Sequence, residues 1–206
     1  MIRGALLILA ILLIARTEGF GGLFRPSRFA MQTQLRAGTD KWYKDGLQFS
    51  CTMCGACCSG TTGSVRFTEE EMQLMMKKVG IVQRAEFEGK YCRLVDDEGY
   101  PPYFELKEVW NDEDQGHDCV FLDRETMKGK ALCTLYEARP LQCRTWPFWS
   151  DVVESPESWE KAKEGKEGCK GLGDVNGKLY TMEEIDHDVI ATNDWIAGLD
   201  EEPNKA

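Results

Sequence analysis

Cys51-x-x-Cys54-x-x-Cys57-Cys58 places four thiols within eight residues, and this block constrains the chain more than any other feature. A two-residue spacer lets the backbone turn so that successive sulfurs face one centre, the geometry used by zinc knuckles and iron–sulfur loops alike. Gly55 suits such a turn, because a tight loop around a metal often needs positive φ. Adjacent Cys57 and Cys58 are expected to point in different directions, and so to serve two neighbouring sites or to have one serve a cluster and the other a different role. Cys119, Cys133, Cys143 and Cys169 lie downstream and bring the set to eight, enough for two four-thiolate sites. Spacing leaves the allocation between them open.

The chain has 206 residues, 42% of them apolar and 10% aromatic. That suffices for a packed core and excludes a wholly disordered protein. No repeat or inter-domain linker divides it. The nine cysteines fall below the density of a small disulfide scaffold, and their odd number would leave one thiol over. A net charge of -10 argues against a general nucleic-acid binder. The sequence shows no glycine-rich phosphate loop, nucleophile elbow or acid–base pair. Asp96-Asp97-Glu98 and Asp112-Glu113-Asp114 read as solvated loops, and His187 reads as surface.

The amino terminus reads as an address. Ala5 to Ala15 is an unbroken apolar run, matching a secretory signal (~7–15 residues) and short of the ~20 needed to span a bilayer. Phe20 to Thr39 carries Arg25, Arg28 and Arg36 with no acid, the composition of an organelle transit peptide. Residues 1–39 are therefore expected to be a signal plus transit leader, resembling the bipartite plastid leaders of algae with secondary plastids. The alternatives are an ordinary secreted protein with a basic arm, or a retained signal anchor. The leader holds five Arg and one Glu, so residues 40–206 carry -14. No stable association with an anionic membrane is expected after its removal.

The remainder, 40–206, is expected to be one small α+β domain of helices and a short β-hairpin around cysteine-bearing loops. Thr68 with Glu71 forms a capping box, followed by Met72, Met75, Met76 and Val79 at helical spacing and closed by Gly80. Phe87, Tyr91, Leu94 and Val95 predict a second helix, with Cys92 on it. Tyr103 to Trp110 reads as a strand. Cys119–Leu122 and Ala131–Tyr136 read as a hairpin around Asp123–Lys130. Thr181 with Glu184 opens a terminal helix marked by Ile185, Val189 and Ile196.

Several motifs in order carry a resemblance. They are Phe49-x-Cys-x-x-Cys-Gly-x-Cys-Cys, Cys-x-Phe-Leu-Asp, Cys-x-Leu-Tyr-x-x-Arg-Pro-x-x-Cys-Arg-x-Trp-Pro and Cys-x-Gly-x-Gly, spanning a motif core at 49–173. This string resembles the YkgJ-type cysteine-cluster family, a zinc- or iron-chelating domain. The first three cysteines also resemble a ferredoxin loop, without the Cys-Pro that should follow. What the family resemblance implies is chelation by Cys51, Cys54, Cys57, Cys58, Cys119, Cys133, Cys143 and Cys169. Cys92 lies outside the shared pattern and inherits no ligand role.

Such a site would be anionic, so Arg139 and Arg144 are placed beside it as offsetting charges and donors to sulfur; salt bridges to surface acids are the alternative. His117 is placed there too, with a solvated loop histidine as its alternative. Trp146, Phe148 and Trp149 suit either water exclusion or core packing. The leading expectation is an iron–sulfur cluster or zinc, iron preferred, since tetrahedral thiolate sites suit both. The acidic surface suits a basic redox partner protein. Some flagellin lysine methylases look similar in the cysteine block, so a metal-dependent methyl-transfer or redox enzyme is the second reading. A disulfide-bonded secreted protein without metal is the third. The two cysteine blocks are expected to form their sites together, with metal holding the fold closed.

Overall fold

The computed structural model describes residues 41–96, 102–165 and 168–201. The leader assigned to 1–39 lies outside the described residues, as do Asp97 and Glu98. In chain order the elements are β1 (Leu47–Phe49), β2 (Ser59–Gly60), α1 (Glu69–Val79), α2 (Arg84–Tyr91), β3 (Cys92–Val95), β4 (Tyr103–Leu106) and β5 (Glu108–Asn111). Then follow β6 (Gly116–Cys119), β7 (Leu122–Asp123), β8 (Leu132–Cys133), α3 (Leu141–Thr145), α4 (Pro156–Lys161), β9 (Lys178–Tyr180) and α5 (Met182–Glu201). The fold is a small α+β domain whose strands form several small antiparallel sheets.

Local chemistry sets the helix ends. Thr68 Oγ1 accepts the Glu71 N–H at 3.2 Å, and the Glu71 carboxylate accepts the Thr68 N–H at 2.8 Å. Gly80 ends α1 in the left-handed conformation at φ 74°. Thr181 and Glu184 exchange the same pair of bonds ahead of α5. Ile185 is fully buried, whereas Ile196 faces solvent.

Three expectations are corrected by long-range pairing. Leu94 and Val95 are not helical: the chain leaves α2 at Tyr91, and β3 pairs antiparallel with β4, Cys92 opposite Leu106. Cys92 is accordingly a strand residue. Tyr103–Trp110 is not one strand but two, because β4 pairs with β3 while β5 pairs with β6, and the chain changes sheet at Lys107. The hairpin exists as β7–β8, with Leu122 opposite Cys133, but Cys119 belongs to β6 in the sheet β2–β6–β5.

Two cores result. A middle core contains Phe67, Met72, Met75, Met76, Phe87, Cys92, Leu106, Phe121 and Leu135. A second core joins the start of the described domain to its end, with Tyr43 and Leu47 packing on Phe148, Val152, Val153, Trp159, Leu172 and Ile185. Pairing of β1 with β9, Leu47 opposite Tyr180, ties those distant segments together. The loop carrying Cys51 to Cys58 runs from the second core toward the middle one.

Candidate metal centre

The first cysteine block is folded by two residues in the left-handed conformation, either side of Cys54. Met53 has φ 55° and Gly55 φ 80°. A side chain at Gly55 would bring its Cβ within 2.8 Å of the Ala131 Cβ, so the loop can lie against β8 only with glycine there. The Met53 carbonyl accepts the Ala131 N–H at 2.8 Å and fixes that contact. Cys57 and Cys58 follow in a single 3-10 turn, their sulfurs 3.6 Å apart. At the far end of the motif, Ser50 donates its N–H to the Gly171 carbonyl at 3.2 Å. A Cβ on Gly171 would fall 1.8 Å from the Ser50 oxygen. The approach of the Cys169 loop to the Cys51 loop therefore depends on that glycine.

All nine cysteines are free thiols. Cys51, Cys54, Cys57 and Cys169 line one small cavity of about 100 Å³ together with Arg139, Arg144 and Trp146. A larger, mainly apolar cavity of about 410 Å³ is walled by Cys51, Cys57, Cys58, Cys133 and Cys143, with Met53, Leu122, Tyr136 and Trp149. Cys119, at the end of β6, lies within electrostatic reach of Cys58, Cys133 and Cys143. Cys92 is elsewhere: the charges acting on it are Glu88, Lys107 and Arg84. Among the described residues no three His, Cys, Asp or Glu side chains converge on one point.

Hydrogen-bond donors aimed at sulfur test whether these residues fit a thiophilic metal. Burial pushes the Cys54 thiol up, but the Ala56 and Lys170 backbone N–H groups and the Thr52 hydroxyl outweigh it, and its pKa is lowered. Burial raises Cys119 to about 11 against an opposing N–H from Phe121. It raises Cys133 against the Leu135 N–H, and Cys169 against the Gly171 N–H and the Trp146 indole. Four sulfurs thus accept the amide two residues further on, a turn that supports a thiolate and holds its direction. The Thr52 hydroxyl and the Trp146 indole N–H are buried and make no hydrogen bond of good geometry. Each lies beside a cysteine sulfur, Thr52 beside Cys54 and Trp146 beside Cys169, and an ionised sulfur would supply the acceptor it lacks. The donor set fits zinc or iron.

Cys57 and Cys58 divide their roles. The two sulfurs share one S–H···S hydrogen bond in which either can donate; that bond and Arg139 hold Cys57 below the usual thiol range, while the bond and burial push Cys58 far up. Cys143 on α3 is also raised, by burial first and then by Cys119 and Cys57.

The charged neighbours separate. Arg139 stacks its guanidinium 4.1 Å from the Tyr136 ring centre and donates to the Tyr136 carbonyl at 2.9 Å and the Cys143 carbonyl at 3.2 Å. From there it acts favourably on Cys57, Cys133 and Cys143 thiolates. Arg144 also lines the small cavity, and its Nη2 stands 3.9 Å from Glu71 Oε1. His117 sits on β6, its ring 5.1 Å from Trp110 and Nδ1 3.4 Å from the Thr62 hydroxyl. It shares a separate groove with Cys54.

Sequence reasoning missed Thr52 and Glu71 and read Trp146 as an apolar wall. Trp146 stands three residues after Cys143, the one spacing that hinted at a donor. Glu71 Oε1 accepts the Leu141 N–H at 2.6 Å and Oε2 accepts the Trp195 indole N–H at 3.1 Å. A single buried carboxylate thus anchors the first turn of α3, which carries Cys143, to α1 and α5.

The chain is 32% identical over 170 residues to "Uncharacterized protein MJ0661" of Methanocaldococcus jannaschii, covering 79% of this chain and 80% of that one. No solved structure matches significantly. Residues 50–173, from the residue before Cys51 to the last glycine of the Cys-x-Gly-x-Gly motif, match the family model described as "CxxCxxCC: Putative zinc- or iron-chelating domain", and the chain belongs to that family.

Proposed function

We propose that residues 40–206 bind an iron–sulfur cluster or zinc through the thiolates of Cys51, Cys54, Cys57, Cys58, Cys119, Cys133, Cys143 and Cys169, with iron preferred. The observation that carries this reading is the amide N–H placed on the sulfurs of Cys54, Cys119, Cys133 and Cys169. An iron centre supplies a redox couple when bound; zinc supplies a rigid tetrahedral tie. The chain's own contribution is orientation and charge. Its amides and the Trp146 indole point at sulfur, Arg139 offsets thiolate charge, and Trp149 and Leu122 keep the larger cavity apolar. The -14 charge of residues 40–206 suits a redox partner with a basic docking face.

Metal analysis and the visible spectrum of protein purified without oxygen test the reading. Brown protein with iron and acid-labile sulfide supports the cluster, and colourless protein with stoichiometric zinc supports the tie. Protein with neither, and with its thiols protected as disulfides, refutes chelation.

The cavity of about 410 Å³ beside five of the cysteines favours a second reading, a metal-dependent enzyme for methyl transfer or redox chemistry. Catalytic centres keep a coordination position open to small ligands, whereas structural ones are closed. Cyanide or imidazole that alters the spectrum of the metal-bound protein supports the enzyme; an unchanged spectrum removes it. We further propose that residues 1–39 are a leader cleaved on the way to a plastid, with secretion as the alternative. Sequencing the amino terminus of native protein decides whether the leader is removed. Met1 retained would favour an anchor.

A further inference from the structure

Resting on the chelation reading, we infer that the eight cysteines divide into two quartets, Cys51/Cys54/Cys57/Cys169 holding one thiophilic divalent ion and Cys58/Cys119/Cys133/Cys143 forming a separate centre. The boundary runs between the adjacent residues Cys57 and Cys58.

Three observations carry the division. All four members of the first quartet line the same cavity, and none of Cys58, Cys119, Cys133 and Cys143 does. Within it, Cys54 and Cys169 are cross-wired: the sulfur of Cys54 accepts the N–H of Lys170, the residue after Cys169. Cys54 and Cys57 are the cysteines acting on Cys169. The second quartet is supported differently, by the middle of the chain: the end of β6, β8, and α3 anchored by Glu71. Its members act on one another, Cys58 with Cys119 and Cys143, and Cys133 with Cys119 and Cys143, while Cys57, its sulfur 3.6 Å from that of Cys58, acts on all four across the boundary.

Size separates the two centres as well. The cavity shared by the first quartet, about 100 Å³, is about a quarter of the other, about 410 Å³, and suits a single ion among its sulfurs. Cys58, Cys133 and Cys143 line only the cavity of about 410 Å³, which has space for a multi-atom cluster or an added ligand, and Cys51 and Cys57 line both cavities. The sulfurs of neither quartet converge as they stand.

Cobalt(II) is the probe, titrated under exclusion of oxygen into the reduced, metal-free full chain while the thiolate-to-cobalt absorption is followed. The intact chain is expected to take up two ions. Cys54→Ser and Cys169→Ser should each leave one, and the Cys54→Ser/Cys169→Ser pair should also leave one. Combining Cys54→Ser with Cys143→Ser should leave none. If Cys143→Ser fails to fold by circular dichroism, Cys58→Ser replaces it and tests the boundary directly. A Cys54→Ser/Cys169→Ser chain that binds none, or a cross-quartet pair that still binds one, overturns the division. A single ion on the intact chain overturns the division and leaves chelation standing. No uptake at all overturns both.

Discussion

Cys92 and Cys169 are both buried sulfurs, one in the middle core and one in the core that joins the ends of the described domain, and their surroundings differ in kind. Around Cys92 burial dominates and lifts the thiol to about 12, with no amide directed at its sulfur. Around Cys169 the same burial is opposed by the Gly171 N–H and the Trp146 indole. Burial alone therefore does not mark a ligand; a sulfur surrounded by donors does. The contrast extends to whole regions. The middle core is stabilised by packing of Phe67, Phe87 and three methionines, all nearly or fully buried. The cysteine turns have thin apolar support and sulfurs that repel one another once ionised.

Removing metal should break the comparison most visibly. Structural zinc in small domains is worth roughly 10–16 kcal/mol, as much as a domain's whole stability. Stripping the metal with a chelator is expected to open 51–60 and 168–173 to limited proteolysis while Phe67–Leu106 stays protected. The expectation that metal closes the whole segment between the blocks is thus narrowed, because that segment packs a core of its own. Equal protection of all segments with and without metal would show the turns to be self-supporting.

Phe87→Ala attacks the other side. Emptying that fully buried position should cost about 3–5 kcal/mol in denaturant unfolding, with metal stoichiometry unchanged. A fall in bound metal per folded chain would tie the two regions more closely than the packing implies.

Glu71 joins them, and Glu71→Ala should fall between. Part-buried donors at Leu141 and Trp195 lose their acceptor, costing about 2–3 kcal/mol. Metal affinity should drop too, through the α3 residue Cys143. Stability lost with affinity intact would confine Glu71 to a packing role.

The smallest effect concerns Cys92 itself. Its folded pKa, about 12, lies above the ordinary 9.0, so the unfolded chain ionises first. Stability is complete below pH 9 and is lost as pH rises from 9 toward 12, by about 1.4 kcal/mol at pH 10. Cys92→Ala should flatten that part of the pH–stability curve relative to the parent chain. An identical slope in both would place the titrating group elsewhere.

Legibility in the sequence followed the range of the interaction. Both capping boxes and the Met72–Met75–Met76 face were readable, since three or four residues determine them. The cysteine string was readable because its spacing is itself the motif. Leu94 and Val95 were misassigned because a short apolar run has no distinguishing period, and only the distant partner β4 selects a strand. The break at Lys107 between two sheets and the bond from Glu71 to Leu141 arise between segments far apart in sequence. No local pattern announces either. The Thr52 hydroxyl and the Trp146 N–H belong to the same class: their meaning is set by which sulfur they face.

The contact between Gly171 and Ser50 also has a consequence in time. The ribosome delivers Cys51 to Cys58 well before it delivers Cys169, roughly 120 residues later, and at about 5–20 residues per second the delay is on the order of ten seconds. During that interval neither the Gly171 carbonyl nor the β9 partner of β1 exists, and the first four thiols have no closed loop to enter. The nascent chain thus passes through a stage at which its most reactive segment is complete but unsheltered, and survival of those thiols depends on how reducing their surroundings are before the last turn arrives.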